Sequence, residues 1–165
     1  MVCKSGEEWQ KKWISGQIMS NEIMRASYTD TFGHAFDAKG RITVPAEWRA
    51  ESYESRLFIL PSAELCLRVY PETWLSGLQE KLKTLKDSDP VRQQALILAS
   101  LAQGTTWDQQ GRIMVKEKLR QRAGLKKEAM LVGRFDHFEI WDKAVWEKKP
   151  AAATTVEEAL RAMGL

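Results

Sequence analysis

From residue 32 the larger side chains fall on every second position: Phe32, His34 and Phe36 alternate with Gly33 and Ala35. A second run follows, with Ile42 and Val44 alternating with Arg41 and Thr43. Period-two patterning marks strands with one face turned to a core. Between the runs stands Asp37-Ala38-Lys39-Gly40, with the Asp and Gly that a type I turn favours at its first and fourth positions. The pattern predicts a β-hairpin over 32–44, with Arg41 and Thr43 on the face opposite Ile42 and Val44. Pro45 then opens a short helix through Arg49. Strands are predicted over 56–60 and 65–70, with a turn at 61–64.

At Pro71 the period changes. Trp74, Leu75, Leu78, Leu82 and Leu85 recur at three- and four-residue spacing, the stripe of an amphipathic helix. Asp87-Ser88-Asp89-Pro90 breaks that helix and caps a second one, running from Val91 to about Gln103. This second helix is apolar around much of its girth and is expected to be buried between neighbours. A second hairpin follows, then a helix over 116–123 closed by Gly124 and strands over 129–134 and 138–141. A helix near Val145, ended by Pro150, is expected to pack on this half. A last one at 155–163 carries Val156, Leu160 and Met163 on one side, and its docking is left open.

The second hairpin is a copy of the first. Asp37-Ala38-Lys39-Gly40-Arg41-Ile42-Thr43-Val44 returns 71 residues later as Asp108-Gln109-Gln110-Gly111-Arg112-Ile113-Met114-Val115. At the same spacing, and without a gap, Leu60 falls on Leu131, Leu67 on Phe138, Val69 on Ile140 and Tyr70 on Trp141. The chain reads as a duplication of one small unit, each copy too small to stand alone.

Charge sharpens the picture. Residues 112–134 hold eight Lys or Arg against Glu117 and Glu128, an excess of six where the whole chain has +3. Positive charge is therefore concentrated, as on a polyanion-facing surface, although a solvated helix face would account for part of it. Asp and Arg four apart would by themselves pair and close their turn. Lys39 beside Arg41 is left over from that reading. No apolar run approaches the ~18 residues of a membrane span, and Lys11 and Lys12 interrupt any signal-peptide core. Of the two cysteines, Cys66 lies in a strand pattern as a buried small residue, and Cys3 is expected to be a free thiol in a mobile tail. His34 and His137 do not match in the repeat and form no catalytic constellation, and no phosphate loop or metal cluster is present. Neither enzymatic activity nor a cofactor or metal is expected, and a cytoplasmic location is.

The stretches Phe32-Gly33-His34-Ala35-Phe36-Asp37-Ala38-Lys39-Gly40-Arg41, Leu67-Arg68-Val69-Tyr70-Pro71, Asp108-Gln109-Gln110-Gly111-Arg112, Arg122-Ala123-Gly124-Leu125, Leu131-Val132-Gly133-Arg134-Phe135 and Phe138-Glu139-Ile140-Trp141-Asp142 together resemble the MraZ family of bacterial regulators. The resemblance covers roughly residues 28–146. It implies an α+β fold: two AbrB-like repeats forming a pseudo-symmetric, swapped-hairpin β-barrel, with a helical hairpin insert. It divides the chain into an extension at 1–27, repeats at 28–76 and 105–149, the insert at 77–104 and a tail at 150–165. It further implies ring-shaped homo-oligomers that bind short direct promoter repeats in double-stranded DNA, upstream of the division and cell-wall gene cluster and of the regulator's own gene. A nucleoid-associated protein follows from that.

Carried over residue by residue, the DNA-facing positions are Asp37 and Arg41, then Asp108 and Arg112, with Lys39 beside them. Arg49, Lys116 and Lys118 are expected as additional phosphate contacts. The chain departs from the family in three places. Lys116 stands at the repeat position of Pro45 and Gln110 at that of Lys39, so the two turns are unequal. Ser62-Ala63-Glu64 replaces a glycine-containing turn. The extension at 1–27 is also atypical, read either as a mis-assigned start (Met19 or Met24) or as an amphipathic helix on Trp9, Trp13, Ile14, Ile18 and Met19. The alternative function is an antitoxin-type interaction module like MazE, which shares the swapped hairpin but carries one copy per chain.

Overall fold

The structure, a computed structural model, describes residues 26–150 and 155–165; the expectations for 1–25, including Cys3, lie outside them. Strands β1 (Thr31–Ala35) and β2 (Arg41–Thr43) are followed by a 3₁₀ turn (Ala46–Arg49), β3 (Arg56–Pro61) and β4 (Cys66–Pro71). Helices α1 (Glu72–Lys83) and α2 (Pro90–Leu101) lead to β5 (Gln103–Thr106), β6 (Arg112–Met114), α3 (Glu117–Arg122), β7 (Glu128–Gly133) and β8 (Phe138–Asp142). Two short helices close the chain, α4 (Lys143–Glu147) and α5 (Val156–Ala162). The fold is a mixed α and β one, and the strand pairs are antiparallel.

The sheet carries the duplication in its strand order, β1-β7-β8-β4-β3-β5. Exchanging each strand for its repeat counterpart gives the same order read backwards. Each half thus lends its first strand to the other half: β1 lies on β7 and β5 on β3. β2 and β6 leave the sheet and pair only with each other, Ile42 opposite Ile113.

The expected hairpins are therefore confined to their turns. Asp37 and Arg41 share one backbone bond at 2.9 Å, after which the strands part: Phe36 N–H goes to Lys127 O and Val44 N–H to Gly111 O, both at 2.8 Å. Alternation encodes which face is apolar, not which strand sits alongside, so the sequence pattern could not distinguish a hairpin from an exchange. The expected barrel is not closed. The six-stranded sheet keeps two edges, β1 and β5, and the β2–β6 ribbon is a separate sheet.

Strand register also corrects the spacing of the repeat. Leu131 lies opposite Ile140, and Ile59 lies opposite Val69. Val69 and Ile140 correspond, so the counterpart of Leu131 is Ile59 rather than Leu60. The connection before β7 is one residue longer than that before β3, and the turn after β7 is one shorter. The repeat therefore has two compensating single-residue gaps.

The core lies between the sheet and the ribbon, with Ile42, Val44, Leu57, Ile59, Leu67, Val69, Ile113, Val115, Leu131, Phe138 and Ile140 fully or almost fully buried. Trp48 fills its centre, 5.5 Å from Tyr28, 5.2 Å from Phe32 and 5.0 Å from Phe138 between ring centroids. On the sheet's other face, Cys66, Val132 and Trp141 form a smaller cluster with Val145 and Trp146 of α4. Burial raises the Cys66 thiol pKa. This is the packing expected for the helix near Val145.

The first insert helix keeps its stripe: Trp74, Leu75, Leu78 and Leu82, with Leu85 just past its end, are half-buried and the residues between them exposed. The second does not behave as expected. Asp89 caps α2 by accepting from Val91 N–H at 2.8 Å, with Pro90 at the first turn. Yet no residue of α2 is buried, and Leu96, Ile97 and Leu98 are 55%, 62% and 46% exposed. Its contacts within the chain run along one narrow side, where Arg92 Nη1 donates to Leu82 O at 2.8 Å. Every residue of α5 is exposed, although Thr155 and Glu158 form a complete capping box.

One asymmetry between the halves has a local cause. Pro45 has no N–H, and the side chain at the matching point of β1 is Phe32. Lys116 restores the N–H, and the counterpart of Phe32 is Gln103. Buried Gln103 accepts from Lys116 N–H at 2.9 Å and donates to Met114 O at 2.8 Å. A buried polar side chain thus appears where a backbone donor needs an acceptor.

Candidate nucleic-acid interface

The ribbon brings the two Asp-x-x-Gly-Arg turns together. In the first, Asp37 Oδ1 accepts from the Lys39 and Arg41 backbone N–H groups, each at 2.9 Å, and Oδ2 accepts from Arg41 Nε at 2.7 Å. In the second, Asp108 Oδ1 accepts from Gln110 and Arg112 N–H at 2.9 Å, and Oδ2 takes Arg112 Nε at 2.9 Å and Nη2 at 2.8 Å. Gly40 and Gly111 close the turns at φ 78° and 75°, where a side chain would be strained. The carboxylates thus organise the loops and aim the guanidinium groups.

The Asp–Arg pairing foreseen from spacing is therefore present, and it does not use up the site. Arg112 Nη1 also lies 3.9 Å from Asp37 Oδ2, so the second arginine reaches across to the first turn. Arg41 spends only Nε on Asp37, and its two terminal nitrogens have no hydrogen-bond partner among the described residues. Donors from the Arg112 side chain and then the backbone hold the Asp108 carboxyl at about 2. The Arg41 backbone N–H, and then its side chain, lower that of Asp37. Both remain anionic at any physiological pH.

Two further cations frame the turns. Arg49 donates from Nε to Val44 O at 2.9 Å, and Arg120 from Nε to Val115 O at 3.1 Å. A Cβ at Gly111 would collide with the Arg49 guanidinium, and one at Gly40 would come 2.8 Å from Arg120 Nη2. Arg120 also lies over the Phe36 ring at 5.7 Å. Burial and then the charge of Arg49 lower the pKa of His34. The turn motif alone does not mark Arg120, although it stands 71 residues after Arg49, at the spacing of the repeat.

The remaining expected residues divide. Lys39 is exposed at the tip of the first turn. Lys116 and Lys118 are exposed at the start of α3, where they border a groove with Ser100, Gln103, Leu119 and Arg122. Neither makes a side-chain hydrogen bond to either turn. Around the two turns, Lys39, Arg41, Arg49, Arg112 and Arg120 stand against Asp37 and Asp108, a local excess of cations. Such a set can bind phosphates and read base edges, since a guanidinium with two free nitrogens matches the guanine O6/N7 pair. Among the described residues no group of three or more His, Cys, Asp or Glu could hold a metal ion. No described helix is long and apolar enough to cross a membrane.

Known proteins resemble this chain in sequence. The family described as "MraZ protein, putative antitoxin-like" matches residues 28–96 and again 98–160, one match for each half. A protein of Nitrosomonas europaea named transcriptional regulator MraZ is 32% identical over 75% of this chain and 86% of its own length. Proteins of the same name from Spiroplasma kunkelii and Salmonella paratyphi B are 31% and 34% identical, over 79% and 78% of this chain and 92% and 93% of theirs. The paired matches and the length of these alignments place the chain in the MraZ family.

Proposed function

We propose that the protein is a sequence-specific DNA-binding transcriptional regulator whose recognition head is the pair of turns at 37–41 and 108–112. The observation that carries this reading is the convergence of both arginines, with their carboxylates, on one ribbon. Arg41 supplies the main base contact and Arg112 a second, while Lys39, Lys116 and Lys118 bind phosphates. Relatives named transcriptional regulator MraZ support the assignment. The exchange of β1, β5 and the ribbon strands between halves supports kinship with AbrB-like swapped hairpins.

One head makes too few phosphate contacts for strong binding at physiological salt. The reading therefore includes a ring-shaped homo-oligomer that engages several short direct repeats, so that later contacts become intramolecular and avidity rises by about 10² or more. The exposed apolar side of α2 supports subunit contacts there. The targets proposed are the promoter of the protein's own gene and the division and cell-wall cluster, which puts the protein in the cytoplasm at the nucleoid. A second reading, an antitoxin-type module, is favoured by the exposed Val156 and Leu160 on α5 and Met163 just past its end, which suit a tail-borne partner.

A gel shift with DNA from upstream of the protein's own gene tests the reading. Specific binding at about 150 mM salt that Arg41→Ala abolishes and Arg112→Ala weakens by about 1–3 kcal/mol is the expected result. Equal binding of the wild type and Arg41→Ala would remove the first turn from the mechanism.

A further inference from the structure

Arg49 and its repeat counterpart Arg120 differ from every other cation near the turns in how their guanidinium groups are held. Each is fastened through Nε to a carbonyl of its own half, Val44 O or Val115 O. Each then lies flat against the turn glycine of the opposite half, Gly111 for Arg49 and Gly40 for Arg120. The same residues meet in the backbone: Val44 N–H bonds Gly111 O at 2.8 Å and Val115 N–H bonds Gly40 O at 2.9 Å. A closed circuit results, in which valine, arginine and the opposite glycine hold one another on both sides of the ribbon. Both arginines are half-buried, unlike Lys39, Lys116 and Lys118.

We propose that Arg49 and Arg120 are positioning residues of the recognition head, two crossed braces that fix where each DNA-reading turn stands relative to the other half. The proposal rests on the DNA-binding reading above and reassigns Arg49 from a phosphate contact to a brace. Arginine suits this role because its Nε donor and its flat face lie at right angles, so one group bonds a carbonyl and covers a glycine at once. Lysine keeps the charge but has neither the plane nor a donor at that point of the side chain. The glycines then have two reasons to be glycine: their positive φ and the plate lying on them.

The test uses Arg49→Lys, Arg49→Gln, Arg120→Lys and Arg120→Gln in the full chain. For each variant, binding to the upstream DNA and to a scrambled duplex is measured across a salt series, and amide hydrogen exchange is followed in the free protein. A brace predicts that Lys and Gln variants alike lose about ten-fold or more in specific binding. The Lys variants should keep their affinity for scrambled DNA and all four should keep the wild-type salt slope. Exchange at the Val44, Gln110 and Arg112 amides should rise for Arg49 variants, and at Val115, Lys39 and Arg41 for Arg120 variants.

Wild-type specific binding by the Lys variants would overturn the proposal. So would a slope reduced by about 0.9 in the Gln variants, which would make these residues phosphate contacts. Unchanged exchange at those amides defeats the brace whatever happens with DNA. Failure of the wild type to prefer upstream over scrambled DNA defeats the DNA reading instead, and the exchange results then stand separately. Variants in the two halves are independent tests, so loss of folding in one leaves the other to decide.

Discussion

Gln103→Leu should destabilise the fold, and Lys116→Pro should undo the damage. Gln103 is only 7% exposed, and its amide serves the Lys116 N–H and Met114 O together. Leucine of similar size keeps the packing and strands that N–H, at a cost of about 1–3 kcal/mol. Met114 O retains a long contact from Thr105 Oγ1 at 3.4 Å, so the stranded donor dominates. Proline removes the donor itself. Lys116 already has φ −58° and ψ 141°, against −50° and 142° at Pro45, so proline fits without strain. It also gains about 0.4–1 kcal/mol by restricting the unfolded chain.

Lys116→Pro alone leaves the Gln103 oxygen unmatched and should be close to neutral. The double variant reproduces the chemistry of the first half and should recover most of the loss. Urea denaturation followed by tryptophan fluorescence, at one fixed protein concentration, reads all four proteins. A double variant as unstable as the sum of the two singles would refute the reasoning, because the two sites would then be energetically independent.

Three further outcomes follow from the same geometry. Gly111→Ala should cost about 2–4 kcal/mol, since it combines a positive-φ penalty with loss of the Arg49 contact. Gly124→Ala, at φ 63° with open space around its Cβ, should cost only the positive-φ penalty of about 1–2 kcal/mol, and equal losses in the two would remove the contact from the account. The Asp108 carboxyl, followed by carbon NMR, should titrate near 2. Its folded value lies below the unfolded one, so its contribution to stability is complete above about 3.9 and lost as the pH falls towards 2; a midpoint near 4 would mean that the turn does not hold it. Light scattering at micromolar concentration should give an assembly larger than a dimer, and Ile97→Asp on the exposed side of α2 should reduce it; a wild-type monomer would refute the role given to that face.

Much of this architecture could be read in the sequence because it depends on local chemistry. The Asp-x-x-Gly turns, the Asp89-Pro90 cap, the stripe from Trp74 to Leu85 and the burial of Ile42 and Val44 all follow from one stretch of chain at a time. What escaped depends on partners far away in sequence. Alternation gave β1 its faces but could not name β7 as its neighbour. Leu60 and Leu131 look like a match because both are leucine, and only pairing with β4 and β8 shows that Ile59 is the true counterpart. The apolar girth of α2 suggested burial, but burial needs neighbours, and the described chain supplies them along one narrow side. At the candidate site, the DNA-facing role of Asp37, Arg41, Asp108 and Arg112 is an expectation from the family resemblance, and only their pairing within each turn was legible from spacing. Arg120 was not, because its role comes from a glycine of the other half, although the repeat offset from Arg49 pointed to it.

The exchange of first strands also governs when the molecule can form. Thr31 pairs with Val132 and Cys66 with Trp141, so the outer edges of β1 and β4 stay unpaired until much of the second half exists. Such long-range pairing makes folding slow relative to a helical protein of this size. During synthesis the emerging first half presents unpaired strand edges, ready to accept any matching edge. A second nascent copy from the same message carries that edge at the same moment. Holding both repeats on one polypeptide raises the local concentration of the correct partner, so the duplication works as a tether that favours pairing within a chain over mispairing between chains.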